Sequence, residues 1–254
     1  MRHIVIGDVH GCLLELTVLL SKIRLRHDDI IIFLGDLIHK GPASSNTVAY
    51  IQDLYKHFNV QLVLGNHEEK HLRWLKQQEQ DVPDGERIKH TEGYIETQLS
   101  PSEIEFISSH SLIAYSWPGF TCVHAGIPSS LTQKPPTSPW SVLNAKTKKT
   151  FAPVLRVRFE TSSGKPVHMG EETSEDTYWA EKYDGRFGHV FFGHHVFYRD
   201  TEPRQFLHAT GLDLGCVHGG KLVAAIINKN QTIEYVSVQG KNYSPIRLLM
   251  TQQP

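Results

Sequence analysis

Cysteine is scarce in this sequence. Cys12, Cys122 and Cys216 lie far apart among 254 residues, and no CxxC pair occurs. That argues against a disulfide scaffold and against a cysteine zinc site, and it fits a reducing compartment. An excess of positive charge is also missing. The 26 Lys+Arg stand against 27 Asp+Glu, a formal net charge of −1. A chain that lives on nucleic-acid phosphates carries a basic surplus, so tight nonspecific RNA binding is not expected, while recognition of an RNA 5′ end stays open. No stretch approaches the roughly 18 consecutive apolar residues of a transmembrane helix, and the apolar run in MRHIVIGDVHG is too short for a secretory leader. A cytoplasmic protein without a membrane partner is the expectation. No Gly/Ser linker, internal repeat or low-complexity tract splits the chain, so one domain spanning 1–254 is expected.

What is present is an ordinary globular composition, with 39% hydrophobic and 21% charged residues, and an unusual 16 His. The first half alternates strand and helix signals. His3 to Ile6 reads as a buried strand, 12–26 as a helix, Ile30 to Leu34 as a strand, 44–58 as a helix with Ser44, Ser45 or Asn46 as N-cap, Gln61 to Leu64 as a strand and 67–80 as a polar helix. Later strands are expected over 112–123, at His189–Phe192, over 205–214, at Leu222–Ile227 and over 232–238. Residues 127–187, rich in Pro, Ser, Thr and Lys near their start, read as a cap inserted over the site, with a small hairpin around LRVRFETSSGKPVHM. Strand–helix–strand order implies a parallel sheet with right-handed crossovers, and ligands bind beyond the carboxyl ends of such strands.

Three buried strands end in glycine and then turn polar: GDVHG, GDLIHKG and GNHEE. Two later turns, CVHAG and FFGHH, follow the same rule. Together they place Asp8, His10, Asp36, Asn66, His67, His124 and His194 at strand ends. Carboxylate, imidazole and amide oxygen suit divalent Mn, Fe or Zn. A carboxylate lying between two such ions can bridge them, and ions about 3.5–4 Å apart clamp a phosphoryl group. The competing reading of each motif alone is a polar cap on a strand end.

Taken in order, GDVHG, GD(x4)GP, GNHE, VHAG and GH resemble the signature of the calcineurin-like metallophosphoesterases. Within them the chain is similar to the phosphoprotein phosphatase branch, and most to the ApaH-like phosphatases and the bacterial symmetrical bis(5′-nucleosyl)-tetraphosphatases. The likeness runs over about residues 3–238. It implies an α/β fold, a βαβ sandwich of two mixed sheets flanked by helices and carrying a cap. It implies two divalent metal ions, Mn²⁺ before Fe or Zn, held by Asp8, His10, Asp36, Asn66, His124 and His194, with Asp36 as the bridge. His67 resembles the histidine that protonates the leaving oxygen, and Glu68 would orient that histidine.

One motif departs from the family. The usual GDxxDRG reads GDLIHKG here, so His39 and Lys40 replace an Asp that holds the histidine and an Arg that grips phosphate. Lys is a point charge without the fork of Arg. Lys40 and the cap residues Arg156 and Arg158 are the expected phosphate contacts, alongside Asn66. The turn GLDLGCVHGGKL resembles one that reaches back to the site in ApaH-like enzymes.

The implied reaction is hydrolysis of a nucleoside polyphosphate, diadenosine tetraphosphate or a cap-like RNA 5′ end, by metal-hydroxide attack. A phosphoprotein phosphatase acting on Ser/Thr or Tyr is the alternative, since a protein substrate would meet the same metal centre. A non-catalytic interaction module is the remote one, because every expected ligand is present. His39 is read as either a support of the site or a surface residue. His195 is left out of the ligand set, His218 is a neighbour of the site, and the cysteines are small buried residues. Trp74, Trp117 and Trp179 read as core, and Trp140 is the tryptophan best placed to stack on a base.

Overall fold

The computed structural model describes residues 1–78, 80 and 97–244. Its elements run β1 (His3–Ile6), α1 (Leu13–Ile23), β2 (Ile30–Phe33), α2 (Ser44–His57), β3 (Asn59–Val63), α3 (Asn66–Gln78), α4 (Pro101–His110), β4 (Ser111–Leu112), β5 (Tyr115–Trp117), β6 (Phe120–Cys122), α5 (Ala145–Phe151), β7 (Phe159–Glu160), β8 (Thr177–Tyr178), α6 (Trp179–Lys182), β9 (His189–Phe192), β10 (Arg204–Gln205), β11 (Ala209–Gly211), β12 (Lys221–Ile227) and β13 (Ile233–Gln239). The strands form a six-stranded sheet in the order β13-β12-β1-β2-β3-β4, a five-stranded sheet in the order β10-β11-β9-β6-β5, and the pair β7-β8. Both large sheets are mixed. β1, β2, β3 and β4 are parallel neighbours, and β12 joins β1 antiparallel. In the second sheet β6, β9 and β11 are parallel.

The alternation of β-strand side chains explains why the central strands are apolar throughout. Ile4, Ile6, Ile31 and Phe33 face one way and pack with Leu16 and Leu19 of α1, Val48 and Ile51 of α2, and Ile107 of α4. Val5 and Ile32 face the other way and meet Cys122, Val190, Phe191 and Phe192 of the second sheet. The result is helices, sheet, sheet. The 127–187 segment adds Leu131, Phe151, Val154, Leu155, Tyr178 and Trp179 to the inter-sheet core. Trp179 is fully buried, with its ring edge-on to Phe192 at 4.9 Å.

Four local expectations change. The strand read over 112–123 is three strands, because β4 pairs with β3 in the first sheet and Pro118-Gly119 turns β5 back onto β6 in the second. The strand read over 205–214 is split into β10 and β11, which pair antiparallel across residues 206–208. The hairpin around 155–169 closes only as a bridge from Glu160 to Pro166, and β7 finds its ladder partner in the distant β8. Helix α2 begins at Ser44 without a side-chain cap, since the Ser44 hydroxyl accepts the backbone N–H of His39 instead. The helix read over 67–80 is observed as α3, and residue 79 lies outside the described residues.

Candidate metal centre

The carboxyl ends of β1, β2, β3, β6 and β9 point to one place. Each is followed within three residues by Asp8, Asp36, Asn66, His124 or His194. Glycines let these ends converge. A Cβ on Gly65 would stand 2.2 Å from Asp36 N and 2.3 Å from Asp36 Oδ1, and one on Gly193 would stand 1.9 Å from Asp8 Oδ1. The backbone is strained where the ligand candidates sit. His10, Asp36, His39, Lys40 and His194 all have φ between 47° and 70°. Only two other non-glycine residues among the described ones do so, Arg24 and Gln231. Such left-handed residues cost on the order of 1–3 kcal/mol each and persist where surroundings over-determine them.

The bracing is visible. Glu68, buried in the first turn of α3, accepts four backbone N–H groups. Its Oε2 takes those of Gly65 (3.1 Å) and Asp36 (2.8 Å), and its Oε1 those of Leu37 (2.8 Å) and Ile38 (3.2 Å). Glu68 therefore fastens the Asp36 loop and does not orient His67, as the motif had implied. The Asp36 carbonyl accepts from Val9 and His10, which ties the first loop to the second. Asp36 Oδ1 in turn accepts the His67 N–H at 3.0 Å, capping the start of α3.

Two groups of three potential ligands share Asp36: His10, Asp36 and His67, and Asp36, His124 and His194. The imidazoles are oriented from behind. His10 Nδ1 lies 3.0 Å from the Ile38 carbonyl and His124 Nδ1 lies 2.8 Å from the Leu34 carbonyl, so each Nδ1 carries the proton and each Nε2 presents a lone pair. His124 Nε2 faces Asn66 Oδ1 at 2.9 Å and Asp36 Oδ1 at 3.4 Å. His10 Nε2 faces Asp36 Oδ2 at 3.6 Å and accepts from Lys40 Nζ at 2.9 Å. His194 Nδ1 lies 2.7 Å from Asn66 Oδ1. Asp8 accepts the His194 N–H through Oδ2, while Asp8 Oδ1 and His194 Nε2 are buried with no hydrogen-bond partner.

The charge balance points the same way. Burial holds His10, His124 and His194 below their ordinary value. Burial works to raise Asp36, yet His124, His67, His10 and Lys40 around it keep it well below the usual carboxylate range. Asp8 is pushed well up by burial and by the neighbouring Asp213 and Asp36. Lone pairs converging without protons between them, and buried carboxylates crowded together, fit divalent cations with O and N ligands.

All ten residues singled out from the sequence lie at or beside this cluster. Arg156 pairs with Glu69, the residue after Glu68, and Arg158 Nη2 donates to the His194 carbonyl at 3.4 Å. Arg156 closes a 3-10 turn, Ala152–Leu155, rather than sharing a cap strand with Arg158. Asp213 was not singled out. It lies inside GLDLGCVHGG, is buried, accepts the Gly215 N–H at 2.9 Å and is pushed up by burial. His39 is also buried, and it reaches His67: their Nδ1 atoms are 2.9 Å apart, and His39 Nε2 lies 3.1 Å from His71 Nδ1. His39 therefore stands behind His67, where the family's Asp was expected to be. His218 is held by the Ser244 carbonyl. Trp140 packs against the inter-sheet core with Lys148 Nζ 5.6 Å from its ring.

Residues 1–198 match the family model of the calcineurin-like phosphoesterases. Over 94% of either chain the protein is 28% identical to a bis(5′-nucleosyl)-tetraphosphatase PrpE, of the asymmetrical kind, from Oceanobacillus iheyensis. It is 46% identical to a symmetrical bis(5′-nucleosyl)-tetraphosphatase from Neisseria gonorrhoeae, over 70 residues that make up 27% of this chain. A solved structure described as a candidate diadenosine tetraphosphatase superposes with a TM-score of 0.63, at 26% identity, over 95% of this chain and 94% of that one. No described helix is long and apolar enough to cross a membrane.

Proposed function

The chain belongs to the calcineurin-like phosphoesterases, a family that uses divalent metals, and we propose that it hydrolyses nucleoside polyphosphates of the diadenosine tetraphosphate kind with two divalent cations, Mn²⁺ by preference. The observation that supports this reading is Asp36, shared by two groups of three potential ligands, with Lys40 on His10 and Arg158 on the His194 carbonyl beside them. The full-length relative whose name states cleavage of such dinucleotides supports the substrate class. Bound there, two cations supply Lewis acidity and an activated water. Asp8, His10, Asp36, Asn66, His124 and His194 would hold them. Lys40 and the two cap arginines bind and orient the phosphate chain. His67, whose Nε2 lies 3.9 Å from Asp36 Oδ2, would give the leaving oxygen its proton. Residues 127–187 serve as the cap that carries Arg156 and Arg158, within one domain.

A panel assay tests the proposal. Purified protein with Mn²⁺ is given diadenosine tetraphosphate, a capped RNA, and phosphothreonine and phosphotyrosine peptides at equal concentration. Faster turnover of the dinucleotide is the expected result. Phosphopeptides turning over at least as fast would overturn it in favour of a protein phosphatase.

A further inference from the structure

Beside the metal centre lies an aromatic cleft that the proposed chemistry does not use. Phe159, Tyr178, His195, Phe197 and Phe206 line it, and it opens between the 127–187 segment and the chain that follows β9. It adjoins the site directly. His195 follows His194, and Arg158, which donates to the His194 carbonyl, leaves from the residue before Phe159.

The rings are organised. Tyr178 and Phe206 stack with centroids 5.5 Å apart, and His195 lies 5.1 Å from Tyr178 and 4.8 Å from Phe197. The planar guanidinium of Arg204 lies over the Phe197 ring at 5.1 Å while its N–H groups bind Asp200 at 2.6 and 2.9 Å. Phe197 is buried while the Arg204 side chain is exposed, so the guanidinium offers its other face to a second flat group. The charges at the rim cancel: Arg199 and Arg204 face Glu181 and Asp200. That balance disfavours a phosphate there and suits an uncharged heteroaromatic ring. The enclosed volume is about 50 Å³, room for a water or two. A bicyclic ring would therefore lie across the mouth, on the outer face of the Arg204 guanidinium, which Phe197 backs.

The geometry points to this cleft as the subsite for one nucleobase of the substrate, stacked on the Arg204 guanidinium that Phe197 backs and set against Phe206. This rests on the nucleoside polyphosphate reading above. Stacking on aromatic rings accepts every base, because every base has a π-face, so the subsite selects nucleotides over base-free phosphates.

Two measurements test it, with Phe206→Leu, which keeps an apolar side chain but removes the ring, and with Arg204→Ala, whose side chain is 47% exposed. The first measurement is the ratio of kcat/KM for diadenosine tetraphosphate to that for p-nitrophenyl phosphate. The expected result is a fall of tenfold or more in Phe206→Leu, carried by KM. The second is saturation-transfer NMR of adenosine 5′-monophosphate on metal-free protein, in which the purine protons receive saturation from wild type and lose it in both variants. A ratio within twofold of wild type, with undiminished purine saturation, overturns the subsite while leaving the proposed function standing. A wild-type protein that cleaves p-nitrophenyl phosphate but no dinucleotide overturns both.

Discussion

The Nδ1 atoms of His39 and His67 lie 2.9 Å apart, so one of the two rings carries the proton and the other accepts it. The same requirement holds between His39 Nε2 and His71 Nδ1 at 3.1 Å. A neutral imidazole has one donor and one acceptor, so the two bonds must run in the same direction. If they run outward from His67, its Nε2 presents a lone pair to the site; if inward, it presents an N–H. Burial holds His39 at about 3 and His67 and His71 at about 4, which keeps the rings neutral and the chain directional.

His39→Ala therefore removes the group that fixes His67 without removing a metal ligand. The expected outcome is a kcat lowered by about 10- to 100-fold, the usual consequence of losing such a support, with bound metal per chain unchanged. His39→Asp restores an acceptor at the position and recovers part of the rate. Steady-state kinetics beside elemental analysis of the metal decide it; equal kcat in His39→Ala and wild type would show that His39 holds nothing.

Asp36→Asn is expected to abolish turnover while far-UV circular dichroism stays native, because the shared ligand loses its charge. Chelation of wild type has the same effect on rate, reversed by Mn²⁺. Metal at 100 times its Kd adds about 2.7 kcal/mol to stability, read as a higher Tm in wild type and a much smaller rise in Asp36→Asn.

Glu68→Gln places an amide NH₂ among backbone donors that now share a carboxylate. A neutral hydrogen bond contributes about 0.5–1.5 kcal/mol, and the amide NH₂ forfeits those that its oxygen had accepted, so a loss of about 1–3 kcal/mol is expected from urea unfolding of the metal-free protein. Metal affinity should fall with it, since the Asp36 loop is no longer held. Unfolding midpoints and a Mn²⁺ titration measure the two effects.

Metal-free protein is expected to be most stable near pH 6.5. Below that value His39, His67 and His71, held low by burial, bind protons in the unfolded chain first, so stability is lost as pH falls toward 4. Above it Glu68, pushed up to about 8 by burial and by Asp36, stays protonated in the folded chain longer than in the unfolded one, so stability declines as pH rises to 8. Urea midpoints from pH 4.5 to 8.5 trace this curve, and added Mn²⁺ should flatten its alkaline side by neutralising the carboxylates.

The positions of the candidate ligands were legible in the sequence because each follows a buried strand that glycine stops. Asp8, Asp36, Asn66, His124 and His194 needed only the strand order to meet. What escaped was set by contacts between loops. His39 looks like any loop residue until the Ser44 hydroxyl takes its N–H and turns its ring inward. The role of Glu68 depends on four N–H groups from two other segments, and Asp213 reaches the cluster through a Gly-rich turn whose path no periodicity encodes. The strand breaks at 118–119 and 206–208 were missed for a simpler reason, since short apolar stretches on either side of a turn read as one run.

The five left-handed residues around the cluster also bear on how this chain can change over generations. Glycine adopts such backbone angles without penalty, so replacing Lys40, at φ 65°, with glycine relieves strain while removing the proposed phosphate contact. A lineage released from selection for the reaction would thus drift toward a sturdier, idle descendant. The side chains at His10, Asp36, His39, Lys40 and His194 are held at backbone angles that work against thermodynamic stability.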